Sequence, residues 1–188
     1  MAVSDHWKTS MNVCALVTLV AAVHYFYMHE FWVIIHTSPI LYRYIDWSIT
    51  VPLQMIEFYL ILSAVKPDMS MQIFMRLLFG TVAMLAFGYS GEAKSMYPWG
   101  VFLGLSGRGF ILYGVLAGVA GNVCADGIAN KYVKESFATM RFIVSVGWSI
   151  YPLGYFFGYL QGAVHDDTLN LVYNLADFVN KIASIPSA

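Results

Sequence analysis

The chain has 188 residues, 59% of them hydrophobic and only 11% charged, with a mean hydropathy of +0.65 and a formal net charge of −1. Soluble domains carry about twice that charged fraction, so the composition excludes an ordinary soluble domain and points into lipid. The charge balance gives no electrostatic footprint for nucleic acid. The two cysteines, Cys14 and Cys124, offer neither a disulfide framework nor metal-ligand spacing, and both read as packing residues.

Six apolar spans are predicted, over residues 11–30, 42–65, 71–90, 98–121, 137–160 and 169–185, each near the roughly 20 residues that a bilayer requires. Short polar links separate them: His36-Thr-Ser-Pro39, Lys66-Pro-Asp68, Gly91-Glu-Ala-Lys94, Asp126 to Glu135, and His165-Asp-Asp167. The expected fold class is therefore an all-α membrane protein, with residues 1–188 forming a single transmembrane domain. The first span is too long, and followed by too many others, to be a cleaved signal peptide. Lys8, Lys66, Arg76, Lys131, Lys134 and Arg141 fall on one side of the spans and Lys94 on the other. The positive-inside rule then puts the N-terminus and the links around 66–70 and 122–136 in the cytoplasm.

The first span carries His24 in an apolar setting, where a lone histidine is ordinarily a satisfied core residue. The second span is the richest in polar groups, with Arg43, Asp46, Trp47, Thr50 and Glu57. Asp46 and Glu57 are eleven residues apart, which is about three turns and about 16 Å along a helix axis. They point in nearly the same direction, Asp46 toward the outside and Glu57 toward the cytoplasm. Arg43 is one turn outward of Asp46 and can compensate its charge, while Thr50 is one turn inward and can hydrogen-bond to it. Mutual pairing between packed helices is the plainer alternative, but it leaves unexplained why carboxylates occupy two depths on one face.

In the fourth span, Gly104-Leu-Ser-Gly107-Arg-Gly109 superficially has the look of a phosphate loop. Its apolar surroundings favour close helix packing instead, as do the small-residue pairs Gly100/Gly104, Gly114/Gly118 and Gly154/Gly158. The fifth span carries the aromatic stripe Trp148, Tyr151 and Tyr155 around Pro152, a pattern that is often ordinary packing. The last span holds Lys181, with Asp177 four residues earlier on the same face. A lysine at that depth costs about 3 kcal/mol on insertion scales unless its charge is compensated. One buried cation and two buried carboxylates suggest a charge cluster within a membrane bundle.

Long stretches of the chain resemble the microbial rhodopsins of the proteorhodopsin family. Arg43-Tyr-Ile-Asp-Trp-Ser-Ile-Thr-Val-Pro-Leu-Gln-Met-Ile-Glu-Phe-Tyr-Leu-Ile-Leu62 is similar to the third helix of that family. Phe87-Gly-Tyr-Ser-Gly-Glu92, Gly147-Trp-Ser-Ile-Tyr-Pro-Leu-Gly-Tyr-Phe156 and Tyr173-Asn-Leu-Ala-Asp-Phe-Val-Asn-Lys181 follow in the family's order. The resemblance implies a seven-helix bundle that holds all-trans retinal as a protonated Schiff base on Lys181. It implies Asp46 as counterion and proton acceptor, Asp177 as second counterion, Glu57 as proton donor, and His24 as hydrogen-bond partner of the acceptor. Trp47, Trp148, Tyr151, Pro152 and Tyr155 correspond to residues that enclose the polyene, with Thr50 beside them. Gln54 stands at the position associated with colour, where a polar residue accompanies blue absorption. An outward light-driven proton pump follows, in a lipid bilayer, with protons as cargo and rings of five or six copies as the family's assembly. It is not expected to be an enzyme.

Met1 to Ser10 is similar to the cytoplasmic link after the family's first helix, so this sequence is expected to carry six of the seven helices, with the last one short beyond Lys181. Arg108 departs from the family, which has an apolar or aromatic residue there near the ring end of retinal. In lipid it is costly; in the bundle it needs a carboxylate or water. Three readings stand at this stage: a proton pump, a photosensor with the same pigment, and a membrane remnant unable to hold retinal.

Overall fold

The computed structural model describes residues 5–65, 71–118 and 131–183. The links at 66–70 and 119–130, which include Lys66, Asp68, Cys124 and Asp126, lie outside the described residues, as do 1–4 and 184–188 with Pro186. Every regular element among the described residues is helical. In chain order they are α1 (Asp5–Ile35), α2 (Ile40–Val65), α3 (Met71–Glu92), α4 (Trp99–Leu116), α5 (Lys131–Ser145), α6 (Ile150–Tyr155) and α7 (Asp166–Ala183). Helix α1 ends at His36, whose φ of 56° is the left-handed conformation that stops a helix.

Six apolar spans were expected; among the described residues four helices are long and apolar enough to cross a membrane. They are Lys8–Ile35, Ile40–Ser63, Met71–Glu92 and Trp99–Leu116. The other two expected spans are helical where they should be, but neither meets that standard, for two different physical reasons. The fifth is broken: α5 stops at Ser145, a 3-10 turn covers Gly147–Ser149, and α6 gives way to a π turn at Phe156–Leu160. Gly147 permits the break to pack closely, because a β-carbon there would collide with the side-chain amide of Asn180. Pro152 falls in the first turn of α6, where its missing N–H costs little. The sixth, α7, is too polar: Asp166 and Asp167 occupy its first turn, where the helix dipole favours them, and Asp177 and Lys181 interrupt it further on.

The polarity of the bundle is inverted relative to a soluble fold. Phe79 and Ile34 are each 73% exposed and Trp99 is 68% exposed, while Arg43, Asp46, Thr50, Glu57, Asp177 and Lys181 are buried. Apolar rings outward and charges inward is the arrangement that hydrocarbon solvent selects, since a lipid-facing charge is costly and a lipid-facing phenylalanine is not. The apolar core joins α2, α5 and the 3-10 turn through Met55, Phe58, Ile61, Phe137, Met140 and Trp148.

Helices α3 and α4 lie closest together. Gly100, Gly104 and Gly107 on α4 face the backbones of Gly91, Gly88 and Met84 on α3, and a β-carbon at Gly100 would come 2.8 Å from the Gly91 Cα. The glycine-rich run around Gly104 is therefore a helix-packing surface, as its apolar setting implied. Gly154 and Gly158 do the same for α7, accepting Tyr173 and Leu169.

Candidate functional site

The charge cluster forms where α2 meets α7. Asp46 and Arg43 lie one turn apart on α2, and Asp177 and Lys181 one turn apart on α7, so each helix contributes an acid and a base at matched depth. Lys181, 5% exposed, donates from Nζ to Asp46 Oδ2, and its Nζ also lies 4.0 Å from Asp177 Oδ2. The ring of Tyr25 on α1 adds a cation–π contact, with its centroid 5.3 Å from Nζ.

Arg43 makes its ion pair with Asp177 rather than with Asp46. Its Nη1 lies 3.9 Å from Asp177 Oδ2, its Nη2 donates to Asn170 Oδ1 at 2.6 Å, and its guanidinium sits 5.1 Å from the centre of the Tyr173 ring. Asp177 also accepts from Trp47 Nε1 at 3.0 Å and from the Tyr151 hydroxyl. Within the cluster, Asp46 Oδ1 and Asp177 Oδ2 are buried and accept no hydrogen bond, their contacts being the longer ion pairs with His24, Arg43 and Lys181. A buried carboxylate oxygen without a hydrogen bond is costly, and both oxygens belong to the carboxylates that flank Lys181.

Two expected contacts take another form. Thr50 donates to the backbone carbonyl of Asp46 at 2.9 Å instead of to its carboxylate, as a helical threonine readily does. His24 lies beside Asp46 rather than bonded to it: Nδ1 donates to the Val20 carbonyl at 2.9 Å and stands 3.8 Å from Asp46 Oδ1.

Next to the cluster is a cavity of about 200 Å³, and Lys181 and Asp177 form part of its wall. Trp47, Gln54, Trp148, Tyr151, Pro152 and Tyr155 line it as well. Thr50, grouped with them on sequence grounds, is fully buried but is not among the lining residues. The aromatic walls are locked to one another. Trp47 and Tyr151 meet edge to face with centroids 4.8 Å apart, and the Tyr173 hydroxyl donates to the Tyr151 carbonyl at 2.9 Å. Asn180 Nδ2 reaches the Tyr151 hydroxyl at 3.4 Å.

Glu57 lies away from this cavity, fully buried, and accepts a hydrogen bond on Oε1 from the Cys14 thiol of α1. Cys14 is thus more than a packing residue. Forty-three positions separate the two in sequence, so no local spacing could have paired them. Asn170, Tyr173 and Asn180 were also missed, although all three lie on the cluster-facing side of α7, where polar residues recur at helical spacing with Asp177 and Lys181.

Arg108 enters the bundle. It is 9% exposed, and its Nη2 donates to Ser149 Oγ at 2.8 Å and to the Ser145 carbonyl at 3.0 Å. The break after α5 frees carbonyls that a continuous helix would have used, and the guanidinium takes them, as cations commonly do at helix C-termini.

A bundle of this kind, with a buried lysine and paired carboxylates beside an aromatic cavity, belongs with the retinal proteins: the bacteriorhodopsin-like family model matches residues 1–183, and the chain belongs to that family. The relatives it matches are proteorhodopsins. It is 46% identical over 182 residues to the green-light absorbing proteorhodopsin of Gamma-proteobacterium EBAC31A08, covering 96% of this chain and 72% of that one. Identity to the blue-light absorbing proteorhodopsin of Gamma-proteobacterium Hot 75m4 is 43%, with the same coverage. Among solved structures, blue light-absorbing proteorhodopsin from Med12 superposes with a TM-score of 0.80 at 41% identity, over 97% of this chain and 81% of that one. Exiguobacterium sibiricum rhodopsin gives a TM-score of 0.81 at 27% identity, over 96% and 80%.

Members of the family carry retinal as a Schiff base on a lysine. The residues here fit that group. A buried lysine lines an aromatic cavity, and two carboxylates stand beside its nitrogen to balance a cation there.

Proposed function

We propose that this chain is an outward light-driven proton pump carrying retinal on Lys181. The observation that carries the reading is the bond to Asp46 from Lys181 Nζ, a residue of the cavity wall, with Glu57 buried about three turns further along the helix of Asp46. Bound there, retinal would supply the light-absorbing polyene and a change of shape that alters the surroundings of the nitrogen. Asp46 Oδ2 is the group within reach of the Lys181 Nζ proton and serves as its acceptor. Asp177 remains as the second counterion, steadied by Arg43, Trp47 and Tyr151. Glu57 returns a proton to Nζ from the cytoplasmic side, and Cys14 orients its carboxyl. His24, beside Asp46, acts on the acceptor by proximity. The protein is a transporter and makes or breaks no substrate bond.

The finer parts of the reading follow from the same residues. Relatives of both colours match almost equally well, so the colour is argued from Gln54, whose buried amide dipole faces the cavity. Such a dipole beside a polyene stabilises the ground-state charge distribution and favours blue absorption. Residues 1–188 act as one transmembrane domain whose six spans include the broken α5–α6 segment and the polar α7, with the N-terminus cytoplasmic. The partners are lipid, protons and four or five further copies of the chain in a ring.

Expression of these 188 residues with all-trans retinal tests the pigment. A visible absorption band that Lys181→Ala abolishes is the expected result, and the absence of any band would refute the reading. Glu57→Gln is expected to slow the return to the dark state after a flash. An unchanged decay would remove Glu57 from the donor role, and a pigment that leaves the external pH unchanged under light would be a sensor instead.

A further inference from the structure

Arg108 is a buried fixed charge that the proton path does not use. It lines the same cavity as Lys181, but from the other side. Helix α4, which carries Arg108, packs on α3 and α5, whereas α7, which carries Lys181, packs on α1, α5 and α6. The guanidinium is held in place by the Ser149 hydroxyl and the Ser145 and Val144 carbonyls, all through Nη2. No carboxylate pairs with it among the described residues. Arginine does not lose its proton in proteins, so this wall of the cavity carries a positive charge that no carboxylate pairs with directly, although Glu92 also lines the cavity.

We infer that Arg108 is a colour-determining residue that moves the absorption of this protein toward shorter wavelength. The inference rests on the reading that retinal is attached at Lys181. With the chromophore tethered there, its positive charge sits at the Lys181 nitrogen in the dark, next to Asp46 and Asp177. Absorption of light displaces positive charge along a conjugated cation, away from the nitrogen and toward the far end. Arg108 repels the displaced charge and leaves the dark distribution, at the opposite wall, less affected. The gap between the two states widens. Gln54 acts in the same direction from the same cavity, so the two residues reinforce each other.

The geometry also supplies two independent ways to cancel the charge. Arg108→Gln removes it, at the cost of the contacts that close the end of α5. Ser149→Asp leaves the arginine in position and sets a carboxylate against it, since Ser149 Oγ already lies 2.8 Å from Nη2. Arg108→Lys keeps the charge while losing the planar fork.

The test is the absorption maximum of each purified pigment, with the thermal stability of the retinal-free protein measured beside it to separate folding from colour. Arg108→Gln and Ser149→Asp are expected to move the maximum to longer wavelength, and Arg108→Lys to leave it near that of the unsubstituted protein. Maxima unmoved, or moved to shorter wavelength, in both neutralising variants would overturn the inference. If Arg108→Gln yields no pigment, Ser149→Asp alone decides. Absence of a visible band from the unsubstituted protein is a different failure, that of the attachment at Lys181.

Discussion

Lys181 and Asp46 are each costly alone and tolerable together, and the same holds for Arg43 with Asp177. Removing one partner of a buried pair leaves an uncompensated charge, at about 3–5 kcal/mol, so the cluster around Lys181 is held to its composition. Glu57 is different, because its contact is a neutral thiol on another helix. A hydrogen bond of that kind contributes about 1 kcal/mol, which corresponds to roughly a 5-fold change in rate. Cys14→Ala should therefore alter the rate of proton return by no more than that factor and shift the carboxyl C=O stretch of Glu57 to higher frequency, with Cys14→Ser restoring both. Flash photolysis and infrared difference spectroscopy check it; an unmoved C=O stretch would mean that the thiol does not hold the carboxyl. The carboxylates and the lysine were legible because a charge inside an apolar run stands out against its neighbours. Their partners were not. Asn170 meets Arg43 across 127 positions and Trp47 meets Asp177 across 130, and no periodicity within one helix encodes such a meeting.

At the level of helices, the legible features were those with a local cause. The spans over α1 to α4 were set by runs of apolar residues long enough for a bilayer, and the pairs Gly100/Gly104 and Gly154/Gly158 anticipated close contact, whereas Gly118 of the pair Gly114/Gly118 meets only Gly114. The break between α5 and α6 was not anticipated. Its causes are tertiary: Asn180 needs the space beside Gly147, and Arg108 takes the carbonyls that the break releases. The α3–α4 contact offers a clean test of packing. Gly100→Ala would bring a β-carbon 2.8 Å from the Gly91 Cα, and overpacking of this kind costs about 1–3 kcal/mol. Gly109, with nothing within 4 Å of a β-carbon, is the matched control. Thermal unfolding in detergent should show a lower midpoint for Gly100→Ala and no loss for Gly109→Ala. Equal midpoints would mean that the helices separate without penalty.

For the molecule as a whole, the inversion of polarity explains both its solvent and its chemistry. Apolar side chains such as Phe79 and Ile34 cover the outside, and the main cluster of buried charges lies on a seam between α2 and α7, with Glu57 set against α1 and Arg108 against the end of α5. A path for protons then needs an inside and an outside. Lys94 lies in the α3–α4 link and Lys131 begins α5, and the proposed orientation would put Lys94 outside and Lys131 inside. In a Cys124→Ser background, Lys94→Cys should react with a membrane-impermeant maleimide added to intact cells, and Lys131→Cys only after lysis. The reverse pattern would invert the direction of transport.

Direction and transport meet in one measurement. Cells expressing the chain with all-trans retinal, suspended in weakly buffered medium and illuminated, should acidify that medium. The signal should vanish with a protonophore and with Asp46→Asn. A pigment that forms on Lys181 yet produces no light-dependent, protonophore-sensitive acidification would contradict the account of this protein as a proton pump.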